Sequence, residues 1–263
     1  VTGLELPLLT LALLVSASFV AGWVDSVVGG GGLIQLPSLL IGLPADTPVP
    51  TISGTNKLPS SLGTAAAALT YLRRVPVNLL HVLPLIAGAA SGSVLGANLV
   101  QLLDRRAFNP LVLAAIVGVG WYVWRRPELG LVARSGPVGW AAVVRLLGIG
   151  VLVGLWDGFM GPGTGTFFLI LLVAGMRMEF LPATAMTKLA NLTTNVAALL
   201  VLGFSGHVLW GLGLTMGAAN LCGGLLGART ALKHGNGFVR RVFLVVVCVL
   251  GAKVAWDTLQ GLL

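Results

Sequence analysis

Two lysines stand in apolar, helix-length stretches, each followed at helical spacing by small polar side chains. Lys57 comes directly after Thr55 and Asn56. Ser60, Ser61 and Thr64 follow it by three, four and seven positions, which puts them on its helical face. Lys188 is followed by Asn191 and Asn195 at offsets of three and seven, the same kind of stripe. A cation beside hydroxyl and carboxamide groups supplies what a small oxyanion loses with its water: charge compensation and hydrogen bonds. Two glycine clusters point the same way. Gly29 to Gly32, and the run Gly161-Pro162-Gly163-Thr164-Gly165, let the backbone approach a ligand closely. Donors are expected there from Gly30, Gly31, Gly32, Gly163, Thr164 and Gly165. A half-helix starting just after each cluster would add the positive end of its dipole, giving an anion site where the two N-termini converge.

Asp25 and Asp157 each precede a glycine cluster, beside Trp23 and Trp156. Three roles fit them. They could titrate and couple transport to protons, they could bridge to Lys57 and Lys188 and neutralise the empty site, or they could accept from the free N–H groups of the loops. Arg145 reads as a snorkelling anchor near Trp140, and Lys253 and Asp257, four apart, as a mutual pair. Gly88, Gly92 and Gly96, like Gly150, Gly154 and Gly158, read as small-residue stripes for close helix packing. His81, His207 and His234 lack metal spacing. Walker A, HExxH and nucleophile motifs are absent from the sequence, so the expectation is no catalytic residue, no metal and no cofactor.

These residues need elements to hold them, and composition says which. With 56% apolar and 9% charged residues and a mean hydropathy of +0.97, 263 residues have too little polar surface to coat a water-soluble globule. An all-α polytopic membrane protein is expected. About eight crossings fit, near 5–28, 51–72, 79–102, 108–125, 138–160, 182–203, 207–230 and 237–258. The runs 33–43 and 166–176 are too short to cross and read as re-entrant half-helices. The first run is too long for a signal h-region and reads as a retained helix. Cys222 and Cys248 lie inside apolar spans and read as small hydrophobes. The net charge of +8 sits in arginines at span ends, so nucleic acid is not an expected partner. If both half-helices re-enter, loops 103–107, 176–181 and 229–241 share one face, which would place both termini outside.

The chain also reads as one unit written twice. Asp25 returns as Asp157 after 132 residues; Asn56-Lys57 returns as Thr187-Lys188, and Gly92 and Gly96 as Gly223 and Gly227, after 131. Residues 1–130 and 131–263 are the expected repeats of a single membrane unit. Broken apolar segments at matching places in two repeats point to a transporter with its substrate at their junction. Spacing alone leaves parallel and inverted repeats both open.

The run from Gly22-Trp23-Val24-Asp25 through Gly29 to Gly32, Leu33, Ile34 and Pro37, followed by Gly54-Thr55-Asn56-Lys57-Leu58, resembles the first-repeat signature of the sulfite exporter TauE/SafE family. Trp156-Asp157-Gly158-Phe159-Met160-Gly161-Pro162-Gly163-Thr164-Gly165-Thr166-Phe167 and Ala185-Met186-Thr187-Lys188-Leu189-Ala190-Asn191 through Asn195 are similar to the second. Gly227-Ala228-Arg229, Arg240 and Lys253 with Asp257 resemble the uncharacterised bacterial inner-membrane branch. The resemblance implies a secondary transporter of small sulfur-containing anions such as sulfite or organosulfonates, often outward. Pro162, Thr164 and Thr166 depart from an all-glycine loop, so the half-sites need not be equivalent.

The expected function is therefore alternating-access carriage of a small anion, bound by the two lysines, Thr55, Asn56, Ser60, Thr64, Asn191 and Asn195, with Asp25 or Asp157 as the coupling group for a proton. The alternative is a cation carrier or channel using Asp25 and Asp157. The remaining expected partner is the lipid bilayer. A homo-oligomer stays open, because glycine-lined faces pack equally well within and between chains.

Overall fold

The computed structural model describes residues 6–102 and 136–262. Eight α-helices appear among them: α1 Leu8–Val28, α2 Gly32–Gly42, α3 Val49–Leu72, α4 Leu79–Leu99, α5 Gly139–Phe159, α6 Thr164–Gly175, α7 Phe180–Phe204 and α8 Trp210–Leu262, the last interrupted at Gly235. The described residues contain no strand. Among the described residues five helices are long and apolar enough to cross a bilayer: Leu8–Val28, Leu79–Leu102, Gly139–Phe159, Phe180–Phe204 and Trp210–Val239. α3 has the length, at 24 residues, but its polar stripe keeps it out of that group. α2 and α6, of 11 and 12 residues, are the two short apolar helices expected after the glycine clusters. The expected crossing at 108–125 and the side chains of Cys248, Lys253 and Asp257 lie outside what is described.

Helix directions follow from which residues meet. Gly88, Gly92 and Gly96 of α4 face Leu147, Val151 and Leu155 of α5 in that order, so α4 and α5 run in the same sense. Gly223 and Gly227 of α8 face Phe19 and Trp23 of α1, again in the same sense. α2 doubles back along α1, with Gly31 against Ala21 and Asp25 and Gly42 against Leu14. At Gly92 an added Cβ would lie 2.2 Å from the Val151 carbonyl oxygen, in rigid backbone that cannot step aside. Gly92→Val is therefore expected to destabilise the fold by about 1–3 kcal/mol or more through overpacking. Thermal unfolding in detergent reads this as a lowered midpoint; an unchanged midpoint would show that the helices do not touch there.

Two apolar clusters flank a polar layer. One gathers Val27, Val28, Tyr71, Val82, Leu85, Leu146, Phe168, Leu172 and Phe180. The other gathers Leu14, Leu36, Leu39, Val49, Ile52, Ala198, Leu202 and Met216. The first takes the C-terminal ends of α1 and α3 but the N-terminal ends of α4, α5 and α7, as opposite running senses require. Large apolar side chains such as Leu13, Leu69, Leu83, Leu95, Leu152 and Leu200 remain exposed around the outside, where only lipid suits them.

The arrangement corrects the expected loop assignment. Val75, Val77, Met178 and Leu181 all pack on the first cluster, so loops 73–78 and 176–181 share a face. The 229–241 segment joins them, because Asn236 accepts from the Leu181 N–H at 2.8 Å and donates to Glu179. The expectation failed because it let each half-helix stay on the face its predecessor had reached. α2 instead returns toward the face where α1 begins.

Candidate functional site

Local sequence explains the break at the centre. Gly29 ends α1 in the left-handed region, φ 82°, with its N–H on the Asp25 carbonyl at 2.7 Å. That is a C-cap only glycine makes at little cost. Gly161 and Gly163, at φ 87° and 80°, reverse the chain between α5 and α6. Trp156 braces this second loop by donating Nε1–H to the Pro162 carbonyl at 3.0 Å. The Thr166 hydroxyl reaches across to the Gly29 carbonyl at 3.0 Å, tying the loops together. Contact is so close that a Cβ on Gly29 would lie 2.4 Å from the Gly165 carbonyl carbon. α2 and α6 therefore start beside one another and leave toward opposite apolar clusters, so both positive dipole ends face the middle of the molecule.

Each lysine meets an aspartate from the other half of the chain. Lys57 Nζ lies 2.7 Å from Asp157 Oδ2 and donates to the Asp157 main-chain carbonyl at 2.7 Å. Lys188 Nζ lies 3.0 Å from Asp25 Oδ2 and donates to the Asp25 main-chain carbonyl as well. Lys57 and Asp157 are each 2% exposed, Lys188 0% and Asp25 15%. Of the three roles open to the aspartates from sequence, the geometry adopts the bridge. Each carbonyl gives the buried ammonium a second acceptor beside the carboxylate.

A small cavity opens between the half-helix starts. Its wall includes Asp25, Gly31, Gly32, Asn56, Lys57, Ser60, Asp157, Gly163, Thr164, Gly165, Asn191 and Asn195, so twelve of the sixteen residues singled out by sequence come together. Four do not. Thr55 accepts the Leu209 N–H at 3.0 Å and pins the start of α8. Thr64 turns its hydroxyl to Asp25 Oδ2 at 3.4 Å, supporting the bridge behind the wall. Gly30 is folded into the turn, its carbonyl accepting from Leu33 at 3.1 Å. Lys188 is sealed under Asp25, which takes the place on the wall.

Gln35 and Asn220 also line the cavity and escaped the sequence reading. Asn220 donates to Gln35 Oε1 at 2.6 Å and to the Ser18 carbonyl at 3.0 Å, while Gln35 donates to the Asn56 carbonyl at 3.2 Å. A signal was present. Each is a buried carboxamide in a strongly apolar helix, and the rule that polar groups in hydrocarbon demand partners applies to carboxamides as to charges. Among the described residues no group of three or more His, Cys, Asp or Glu stands ready to hold a metal.

The profile of the sulfite exporter TauE/SafE family matches residues 14–254. A probable membrane transporter protein, ORF9, of a Sinorhizobium species is 37% identical over 248 residues, covering 94% of this chain and 93% of the relative. A probable membrane transporter protein of Haemophilus influenzae is 32% identical over 94% of this chain and 95% of its own length. The probable membrane transporter protein YfcA of Escherichia coli is 32% identical over 95% of this chain and 91% of its own length. No solved structure matches the chain. A match across most of the chain, full-length relatives and a bundle of apolar helices around one buried polar site establish a multi-pass membrane transporter that belongs to the sulfite exporter TauE/SafE family.

Proposed function

We propose that this protein is a secondary carrier of a small oxyanion, sulfite or an organosulfonate, which binds between the starts of α2 and α6 against Lys57. The observation that carries the reading is the pair of half-helix N-termini meeting at a cavity that also holds Lys57 and the carboxamides of Asn56, Asn191 and Asn195. Leu33, Ile34 and Thr164 donate to the glycine turns, and the first-turn N–H groups left without intrahelical acceptors, with the dipole ends, favour negative charge, which supports an anion as the ligand. A cation carrier using Asp25 and Asp157 is the rival. It is disfavoured because each carboxylate already holds an ammonium, and a cation would face two positive dipole ends.

Two inverted repeats support alternating access. α1 to α4 match α5 to α8 in order, and neighbours that run in the same sense, α1 with α8 and α4 with α5, exchange places under the match. α1 runs toward the first apolar cluster and α5 away from it, opposite senses that support an axis in the membrane plane. Orientation follows from charge: Arg73, Arg74, Arg177, Arg229, Lys233 and Arg241 are grouped at one face, whereas segments 43–48 and 205–209 at the other carry no Lys or Arg. The positive-inside rule makes the basic face cytoplasmic and starts α1 outside, and the bacterial relatives support a location in a bacterial inner membrane. Coupling also has a physical basis. A proton on Asp157 would release Lys57 for the anion, so proton and anion would occupy the site together. Outward carriage, as in the family's name, would then run on the anion's own gradient.

Thermal unfolding of the purified protein tests the cargo. At about 100 times its Kd, a ligand that binds only the folded state stabilises by about 2.7 kcal/mol. Sulfite, thiosulfate or a short sulfonate is expected to raise the midpoint of the native protein and to have no effect on Lys57→Gln. Stabilisation by monovalent cations alone, retained in Lys57→Gln, would transfer the site to the aspartates.

A further inference from the structure

Some polar atoms in this bundle are buried without any partner. Among the described residues these side-chain atoms are Ser53 Oγ, Asn56 Oδ1, Thr187 Oγ1 and His207 Nδ1. His207 lies in the α7–α8 connection; the other three stand on the N-terminal turns of α3 and α7, within four residues of a bridging lysine. Their residues are 3%, 3% and 1% exposed. The positions match: adding 131 takes Ser53 to Thr184, Asn56 to Thr187, Lys57 to Lys188, Ser60 to Asn191 and Thr64 to Asn195. A buried polar group with no hydrogen bond costs about 1–3 kcal/mol. Such groups are expected where a solvated ligand passes.

α3 begins beside the second apolar cluster, with Val49 and Ile52, and α7 begins beside the first, with Phe180 and Ala183. The unpartnered groups thus lead from opposite faces toward the centre. Ser53 and Asn56 on one side, and on the other Thr187 alone, since Thr184 donates to the Phe180 carbonyl at 2.7 Å, stand before a lysine held by an aspartate of the other half.

We propose that the N-terminal turns of α3 and α7 line the two routes by which the anion reaches the central cavity, Ser53 and Asn56 from the outer face and Thr187 from the cytoplasmic face. The Lys57–Asp157 and Lys188–Asp25 bridges are the gates that close them. The inference rests on the carrier reading and adds its path. The Ser53 and Thr187 hydroxyls donate to the anion in passage, Asn56 must turn its Nδ2 to it because its unpartnered Oδ1 only accepts, and a gate opens when its carboxylate lets go of its lysine. Because the bridges join opposite halves, rocking of one half against the other can loosen one and keep the other.

The test is cysteine accessibility in a chain carrying Cys222→Ala and Cys248→Ala. Ser53→Cys and Thr187→Cys are close in size to the native side chains, so folding is preserved, and a monodisperse elution profile checks it. A charged, membrane-impermeant thiol reagent is applied to right-side-out and to inverted vesicles. Ser53→Cys is expected to react from the outer face only and Thr187→Cys from the cytoplasmic face only. Adding Asp157→Asn should raise labelling of the first by about tenfold or more, and Asp25→Asn that of the second, since labelling follows the population of the open state. Reaction of both cysteines from one face overturns the routes, as does silence of both even with the aspartates replaced. An aspartate substitution that acts equally on both cysteines overturns the gates. Sulfite stabilisation is measured on the same preparations. Its absence beside sided labelling would sink the anion cargo alone, and its presence beside silent cysteines would sink the routes alone.

Discussion

Lys57→Met is expected to lower the stability of the protein by about 3–5 kcal/mol, because it leaves the Asp157 carboxylate buried and without its cation. Both side chains are 2% exposed, so water cannot replace the lost partner. Adding Asp157→Leu removes the orphaned charge, and an apolar pair of similar volume is often neutral or better in such a place. The double variant should recover most of the loss. Neither variant should be stabilised by sulfite, since the ammonium facing the cavity is gone from both. Equilibrium unfolding of the three proteins, with and without sulfite, separates the contributions. Failure of the double variant to recover would mean that Lys57 stabilises through its main-chain bond to Asp157 and not through the ion pair. A sulfite response that survived in both would place the anion elsewhere.

The second large effect concerns the crossing of the two glycine loops. Gly29→Ala imposes a left-handed backbone on an alanine, at about 1–2 kcal/mol. It also drives a methyl group to 2.4 Å from the Gly165 backbone, which adds overpacking of about 1–3 kcal/mol. Gly206→Ala is the matched control, with φ 77° and nothing within 4 Å of an added Cβ. The control should lose only the backbone part and keep its transport. Gly29→Ala should lose more stability, and most of its activity too, because separating the half-helix starts moves both dipole ends away from the anion. Unfolding midpoints and sulfite flux in proteoliposomes read the two together. Equal losses in the two variants would show that the loops do not pack against each other as described.

Much of this was legible in one dimension. The lysines, aspartates and glycine breaks announced themselves because a charge or a broken helix in hydrocarbon is costly, so an apolar background makes each stand out. Length and hydropathy similarly marked the short helices at Gly32–Gly42 and Thr164–Gly175, expected at 33–43 and 166–176. Gln35 and Asn220 were less visible, since an uncharged carboxamide costs less and contrasts less with its neighbours. Thr64 lay in the correct stripe, yet its hydroxyl turned to Asp25, while Thr55, two residues before Lys57 and so about 200° around the helix, faces the start of α8.

Most of the residues buried together at the centre could be read from sequence, because polar groups in a membrane chain must find one another. The pairing came from the packing of the helices, with each lysine crossing to the aspartate of the opposite half. Packing also decided the direction of α2, and with it which loops share a face. Periodicity records which side of a helix is polar but carries no sign for its running sense, and two equivalent lysines and two equivalent aspartates permit either pairing until packing at Gly29 and Gly165 brings the halves together.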